Sequence, residues 1–443
     1  MARVRNEAAF SELVLLGAFP LEAELDAESL HYNGYAAAQQ SLAAYLNSPG
    51  DRTGKEERPS WIYNNLNEQA VLFAPPDFPN RQILPMAFLQ FESEEITAEL
   101  SRHLTADNGH AWHIVSCSLN FFTSGFASIR LDLRHSRINI DAVKVSVIEE
   151  FSQHLAERLA DAVEPVRLEY EKAVRTVLPQ LVIPALISKE HHHAGVLWLH
   201  RILIWRANDL DAMAENAEAV VPNVHETLIF RDVAIVAGVD TSVICSKVDH
   251  IEPPDWIIRI FEFTDVVYAY MLQLDAYLFD ELNRVVFASR TAGSFKAAEA
   301  ARAAQSISER VSLYRANVDT TVGSLGSASI AIWSARWQMA GTPHLDASLT
   351  RKLELLGRLA QSRNETAELA HARRLNRLAL IFTLFSVASS GTALIDFAYG
   401  GAWLSTSESR IFVLFGLFLA VIVATLLTIR EVRLSADSSH QAQ

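Results

Sequence analysis

The sequence predicts an α/β cytoplasmic domain followed by a long helical hairpin and a stalk helix, with two C-terminal transmembrane helices. Three observations carry this: two long apolar runs near the C-terminal end, a helical pattern over more than a hundred residues ahead of them, and strand-like alternation in the N-terminal half. The bulk figures agree with a folded protein. Of 443 residues, 20% are charged and 50% hydrophobic, which gives enough apolar material for a sizeable core.

Residues 1–60 give no clear pattern. The start, Met1-Ala-Arg-Val-Arg-Asn-Glu, has basic residues, but the apolar run behind it is short and ends in acidic sequence, which does not make a signal peptide. An α/β domain is expected over 60–250. Ile129, Leu131 and Leu133 alternate with Ser128, Arg130, Asp132 and Arg134, and the apolar run Trp112 to Phe122 pairs with them across a turn near Ser124-Gly125. Gly195 to Trp205 and Thr227 to Val236 are further strands; Ala237-Gly238-Val239-Asp240 then leads to an apolar run ending at Cys245. Val147, Phe151, Leu155 and Leu159 have helical spacing between them. Cys117 and Cys245, the two cysteines, fall in strands and are expected as reduced core residues.

A helical hairpin is expected over 255–340. Asp255 to Ser289 carries Ile258, Phe261, Val266, Met271, Leu274 and Leu278, and Ser294 to Met339 is rich in alanine, with Gly323 and Gly326 placed to interrupt it. After Gly341-Thr342-Pro343 a stalk helix and first span occupy 345–398, with Asp346 or Ser348 as cap. Leu345 to Asp396 as one helix is about 75 to 80 Å long. Leu349, Leu353, Leu356, Leu359, Ala360, Ala367, Ala370 and Leu378 recur along it at threes and fours. That stripe packs on preceding helices of the same chain, on copies of the chain as a coiled coil, or on both from different faces.

Leu378 to Ala398 and Ile411 to Ile429 are each close to the roughly 20 residues that cross a hydrocarbon core of about 30 Å. Arg373, Arg374 and Arg377 precede the first run, and Arg430 and Arg433 follow the second. The bias of basic residues toward the cytoplasm puts both ends, including the tail 430–443, on that side of a plasma or inner membrane, with the short loop 399–410 outside. In the first run Asn376, Thr383, Ser386 and Ser390 fall within a stripe of about 80°. Polar groups at membrane depth need a partner helix or water, or they bond back to their own helix. Asp396 stands near the outer end.

The net charge of −14 argues against a broad nucleic-acid surface and makes cations the natural partners, beside lipid. No phosphate-binding glycine loop, nucleophile elbow, zinc-protease helix or paired CxxC occurs, so no enzyme is expected. Glu190-His191-His192-His193 reads as a solvated loop, since adjacent histidines diverge on regular elements. Glu92, Glu94, Glu95 and Glu99 read as a solvated helix face that attracts divalent ions at most.

In this order, a cytoplasmic α/β domain, helical hairpin, stalk, span, short outer loop and second span, the chain resembles the CorA magnesium transporter superfamily. That family's first span ends in Tyr-Gly-Met-Asn; here the place reads Tyr399-Gly400-Gly401-Ala402, which keeps the first two residues only. The resemblance implies a homo-oligomer, a pentamer in the family, with the stalk and first span lining a pore. Asn376, Thr383, Ser386 and Ser390 would line it, and Asp396, Tyr399, Gly400 and Gly401 would form the outer mouth. No cofactor motif is present, and a divalent cation such as Mg2+ is the candidate substrate or regulator. Because the amide that recognises hydrated magnesium is missing, magnesium selectivity does not carry over. The function expected is a divergent cation channel or transporter gated by its cytoplasmic domain. An alternative keeps the architecture and makes the chain a membrane-anchored sensor or signalling effector, as in anti-phage defence, that binds a nucleotide or protein partner. A third makes it a scaffold that only oligomerises.

Overall fold

The computed structural model describes residues 9–26, 32–48, 60–62, 87–107, 112–139, 145–187, 196, 198–207, 209–218, 221, 224, 226–230, 232–247, 255–291, 294–323 and 325–400. The strands are β1 (Ala9–Pro20), β2 (Ala23–Leu25), β3 (Ser60–Ile62), β4 (Ala87–Glu92), β5 (Trp112–Phe122), β6 (Phe126–Asn139), β7 (Val182–Pro184), β8 (Trp198–Ala207), β9 (Glu226–Ile229), β10 (Val233–Ala237) and β11 (Thr241–Lys247). The helices are α1 (Tyr32–Leu46), α2 (Glu94–Asp107), α3 (Val145–Val177), α4 (Leu210–Glu218), α5 (Asp255–Thr291), α6 (Ser294–Gly323), α7 (Ser327–Met339) and α8 (Thr342–Gly400).

One nine-stranded mixed sheet, in the order β3-β4-β5-β6-β1-β8-β11-β10-β9, organises the larger of two compact units, residues 1–291 with 302–360. Its neighbours pair antiparallel except β8 with β11, which run parallel. A second, two-stranded sheet joins β2 to β7. Residues 1–60, left without a pattern by the sequence, supply β1, which lies between β6 and β8. The α/β fold therefore reaches back to Ala9. The reason it was hidden is chemical: Leu13 to Leu16 are buried on both faces of the sheet, so the strand has no polar alternation to reveal it.

β5 and β6 form the expected hairpin, and Gly125 takes φ +76 at its turn, a conformation open to glycine. The strand expected over Thr227 to Val236 is instead two, β9 and β10, because the Phe230 N–H turns back to the Val233 carbonyl at 2.8 Å. Both cysteines are buried, unbridged thiols in β5 and β11, and burial pushes each up to about 12.

The two faces of the sheet differ. One is apolar: Leu13, Leu15, Leu119, Ile129, Leu131 and Leu203 pack against Leu42 of α1, Ile96 of α2, Phe151, Leu155 and Leu159 of α3, and Ala214 of α4. The other, under α5, mixes Val14 and Leu16 with the buried polar residues Ser118, Asn120, Ser128, His200 and Ser242. That second face is where the charges gather.

The hairpin expected over 255–340 is three helices, since α6 ends at Gly323 and α7 begins after Gly326. Gly341, at φ +67, closes α7, and α8 starts at Thr342, three residues before the expected Leu345. Pro343 sits in the first turn, where its missing N–H costs nothing. Asp346 and Ser348 are not caps: Asp346 pairs with Arg315 of α6 at 2.7 Å and Ser348 donates to Asp275 of α5 at 2.8 Å.

Helix α8 runs unbroken for 59 residues. In its first part Leu349, Leu353, Leu356 and Ala360 are buried against the chain's own helices. The smaller compact unit comprises 292–301 and 361–443. From Gln361 to Gly391 none of the described side chains is buried. Among the described residues no helix is long and apolar enough to cross a membrane. The described side chains of α8 end at Gly391, inside the apolar run that begins at Leu378, and the second run, Ile411 to Ile429, lies outside the described residues.

Candidate functional site

Two places combine unusual chemistry with a defined position. The first is the joint between α5, α7 and the polar face of the sheet. Asp255, Glu262 and Asp265 stand on α5 within about 80° of one another, at 100° per residue, and each meets a counterpart. Asp255 receives Arg130 of β6 at 2.5 Å. Glu262 accepts from Asn120 of β5 at 2.5 Å and from the hydroxyl of Ser128 of β6. Asp265 pairs with Arg336 of α7 at 2.5 Å, with side chains 3% and 1% exposed.

Arg336 extends the joint to the loop between β10 and β11, donating from Nη1 to the carbonyls of Gly238 at 2.6 Å and Val239 at 2.9 Å. Its guanidinium also lies 5.5 Å from the Phe261 ring centroid. Phe261 stacks on His200, whose Nε2 is 3.0 Å from Ser242 Oγ; that oxygen accepts the Gly238 N–H at 3.2 Å. Burial, with the charges of Arg336 and Arg201, holds the His200 pKa well below its usual range, so the ring is neutral. His200 and Ser242 are both 0% exposed. The pair is shielded from solvent and ties β8, β11 and the loop at Gly238 together.

The cost and role of such a joint follow from desolvation. A buried ion pair gains little net stability over an apolar replacement, but it admits only one arrangement of its elements. Here it fixes α5 and α7 on the sheet, and α7 continues through Gly341 into α8. The joint is the mechanical link between the sheet and the head of the long helix.

A second ion pair binds β2 to α6: Arg310 Nη2 donates to Glu24 Oε2 at 2.6 Å and to the Pro184 carbonyl at 2.9 Å. Burial raises Glu24 to about 7 despite Arg310. The folded chain thus holds this proton where an unfolded chain, near 4.5, has lost it. Stability from this group is complete below about pH 4.5 and falls as pH rises through about 7. Glu24→Gln is expected to flatten that part of the profile, so that melting temperatures of the full-length protein at pH 5 and pH 8 differ less than in wild type. An unchanged difference refutes the assignment.

The second place is the exposed part of α8. Asn376, Thr383, Ser386 and Ser390 are all exposed and share one stripe of α8. Thr383 Oγ1 bonds back to the Ala379 carbonyl at 2.8 Å. Beside the stripe, Leu378, Ile381, Phe382 and Phe385 cover an arc of about 100° at 100° per residue, with Phe382 73% and Phe385 71% exposed. Asp396, Tyr399 and Gly400 belong to the last turns of α8, and Gly401 lies outside the described residues.

Glu94, Glu95 and Glu99 lie on α2, after Glu92 at the end of β4, and the N-terminus of α2 is capped by Ser93 Oγ accepting the Ile96 N–H at 3.1 Å. Among the described residues no group of three or more His, Cys, Asp or Glu is placed to hold a metal ion. Glu190 to His193 lie outside the described residues. Sequence reasoning missed the joint altogether. Its signal was the acids at 262 and 265 inside a mostly apolar helical run, charges that must be paired when buried.

The chain matches no protein-family model and no curated protein. Among solved structures it is similar to the structure of the full-length CmaX protein, at 13% identity over 53% of this chain and 89% of that one, with a TM-score of 0.25. Similarity at that level carries no argument about fold or function.

Proposed function

We propose that this chain is a divergent CorA-like, homo-oligomeric membrane channel or transporter for cations, gated by its sheet domain. The carrying observation is the bare surface of α8, where Phe382 is 73% and Phe385 71% exposed. An apolar surface of that kind on a helix belongs against lipid or other helices. The runs Leu378 to Ala398 and Ile411 to Ile429 cross the membrane. Asn376, Thr383, Ser386 and Ser390 then face the path of copies assembled round an axis, and Asp396, Tyr399, Gly400 and Gly401 form its outer mouth.

A two-span chain encloses a path only by assembling copies. Cations, Mg2+ among them, cross hydrated past hydroxyl and amide groups, and the carboxylates of Asp396 raise their concentration at the mouth. The sheet domain gates through the joint, because a ligand that binds one packing of α8 better than another shifts the equilibrium between them. A second reading, a membrane-anchored sensor or effector with a nucleotide or protein partner, is favoured by one observation, that Gly401-Ala402 replaces the family's Met-Asn.

Cation flux into liposomes holding the full-length protein tests the first reading, with magnesium, other divalents, sodium and potassium offered in turn. Flux that Asp396→Ala and Ser390→Leu both lower at least tenfold is the expected result. Flux indifferent to both substitutions refutes the path; no flux from an oligomeric, folded sample leaves a closed channel that awaits its ligand or the sensor reading.

A further inference from the structure

Helix α5 has two apolar stripes, one buried and one partly exposed. Met271, Leu274, Leu278, Leu282 and Val285 are buried, whereas Leu272 is 41%, Phe279 56% and Val286 37% exposed. With exposed Ala276 and half-buried Asn283 the outer set follows steps of four and three, 272, 276, 279, 283 and 286. That is the spacing by which one helix receives the side chains of another, and a polar Asn within such a seam sets register.

We propose that this seam of α5 is the contact between copies of the chain, and that its occupant is the stretch Arg351 to Arg358 of α8 from a second copy. The inference deepens the self-association put forward above and rests on it. Leu355, at the centre of that stretch, is 50% exposed. The charges beside the two surfaces complement each other. The seam is flanked by exposed Asp280 and Arg284; the α8 stretch presents Arg351, Glu354 and Arg358. Laid parallel, Asp280 faces Arg351 and Arg284 faces Glu354.

The existing pairs Glu281 with Arg284 and Glu354 with Arg358 are intrahelical. Glu354 and Arg358 are 61% and 79% exposed, so that pair is exchanged at little cost; Arg284, 60% exposed, keeps the buried Glu281 and reaches Glu354 with its free side. Direction fits as well. Within one copy α5 and α8 run the same way, since Asp275 meets Ser348 and Lys352, and Phe279 has the Lys352 ammonium 5.6 Å from its ring centroid. A contact of α5 on a neighbour's α8 uses different surfaces on the two copies, the type of interface that closes into a ring.

Cysteine cross-linking in the full-length, detergent-solubilised protein tests this. Cys117 and Cys245 are 2% and 0% exposed, so a pair introduced as Asn283→Cys with Leu355→Cys, level with each other in this register, reports alone. Oxidation is expected to give a ladder of disulfide-linked species from the double variant and none from either single one. In parallel, Phe279→Asp is expected to reduce the assembled mass at unchanged helix content. An oligomeric double variant without a ladder overturns the seam, and a ladder from a single variant overturns the named occupant. A wild-type sample that is monomeric overturns the self-association reading along with it.

Discussion

Arg336→Ala destabilises the sheet domain by about 3–5 kcal/mol, the range for removing one partner of a buried ion pair. The substitution strands Asp265, whose side chain is 3% exposed, and releases the carbonyls of Gly238 and Val239. Burial already raises Asp265 to about 6 with Arg336 present, so without the guanidinium the carboxyl takes up a proton and the loop carbonyls lose their donor. Replacing both partners, Asp265→Leu with Arg336→Met, removes the desolvated charges together and is expected to recover most of the loss. Denaturant unfolding of the full-length protein, followed through tryptophan fluorescence, measures both. A single variant costing less than about 1 kcal/mol would show that the pair is not desolvated as described.

Gly238→Ala is the harsher change at the same joint. A Cβ there meets the Thr241 carbonyl oxygen at 2.1 Å and Val221 Cγ1 at 2.3 Å. The first obstacle is backbone, so the loop between β10 and β11 must move, and with it the carbonyl that receives Arg336 and the N–H that donates to Ser242. The requirement is space, not an unusual dihedral. The expected cost is about 4 kcal/mol or more, at the severe end for single substitutions. Because both variants damage one network, the double variant Gly238→Ala with Arg336→Ala should lose clearly less than the sum. Additive losses would place the two residues in separate networks.

Much of this was legible in the sequence where one periodicity ruled a segment. β5 has the bounds read from its apolar run, the β5–β6 hairpin turns at Gly125, and the glycines at 323 and 326 separate α6 from α7. What escaped detection was set by partners distant in sequence. β1 reads as featureless because both faces of the sheet are covered where it lies, and the joint depends on pairs separated by 71 to 142 positions, Asp265 with Arg336 and Glu262 with Asn120. Of the α8 stripe, Leu349, Leu353, Leu356 and Ala360 are buried on the chain's own helices, and Leu378 is exposed. Spacing alone cannot divide them, because it is the same on both sides of Ala360.

The place of β1 also bears on how the chain is made. It leaves the ribosome before either of its sheet neighbours, and the nearer one, β6, begins only at Phe126. For more than a hundred residues of translation a strand reading Leu-Val-Leu-Leu has no edge to pair with. Such a segment is open to wrong pairing until its partners emerge. Nascent chains halted before Trp198 should therefore be captured by holdase chaperones far more than chains halted after Lys247, when the sheet can close.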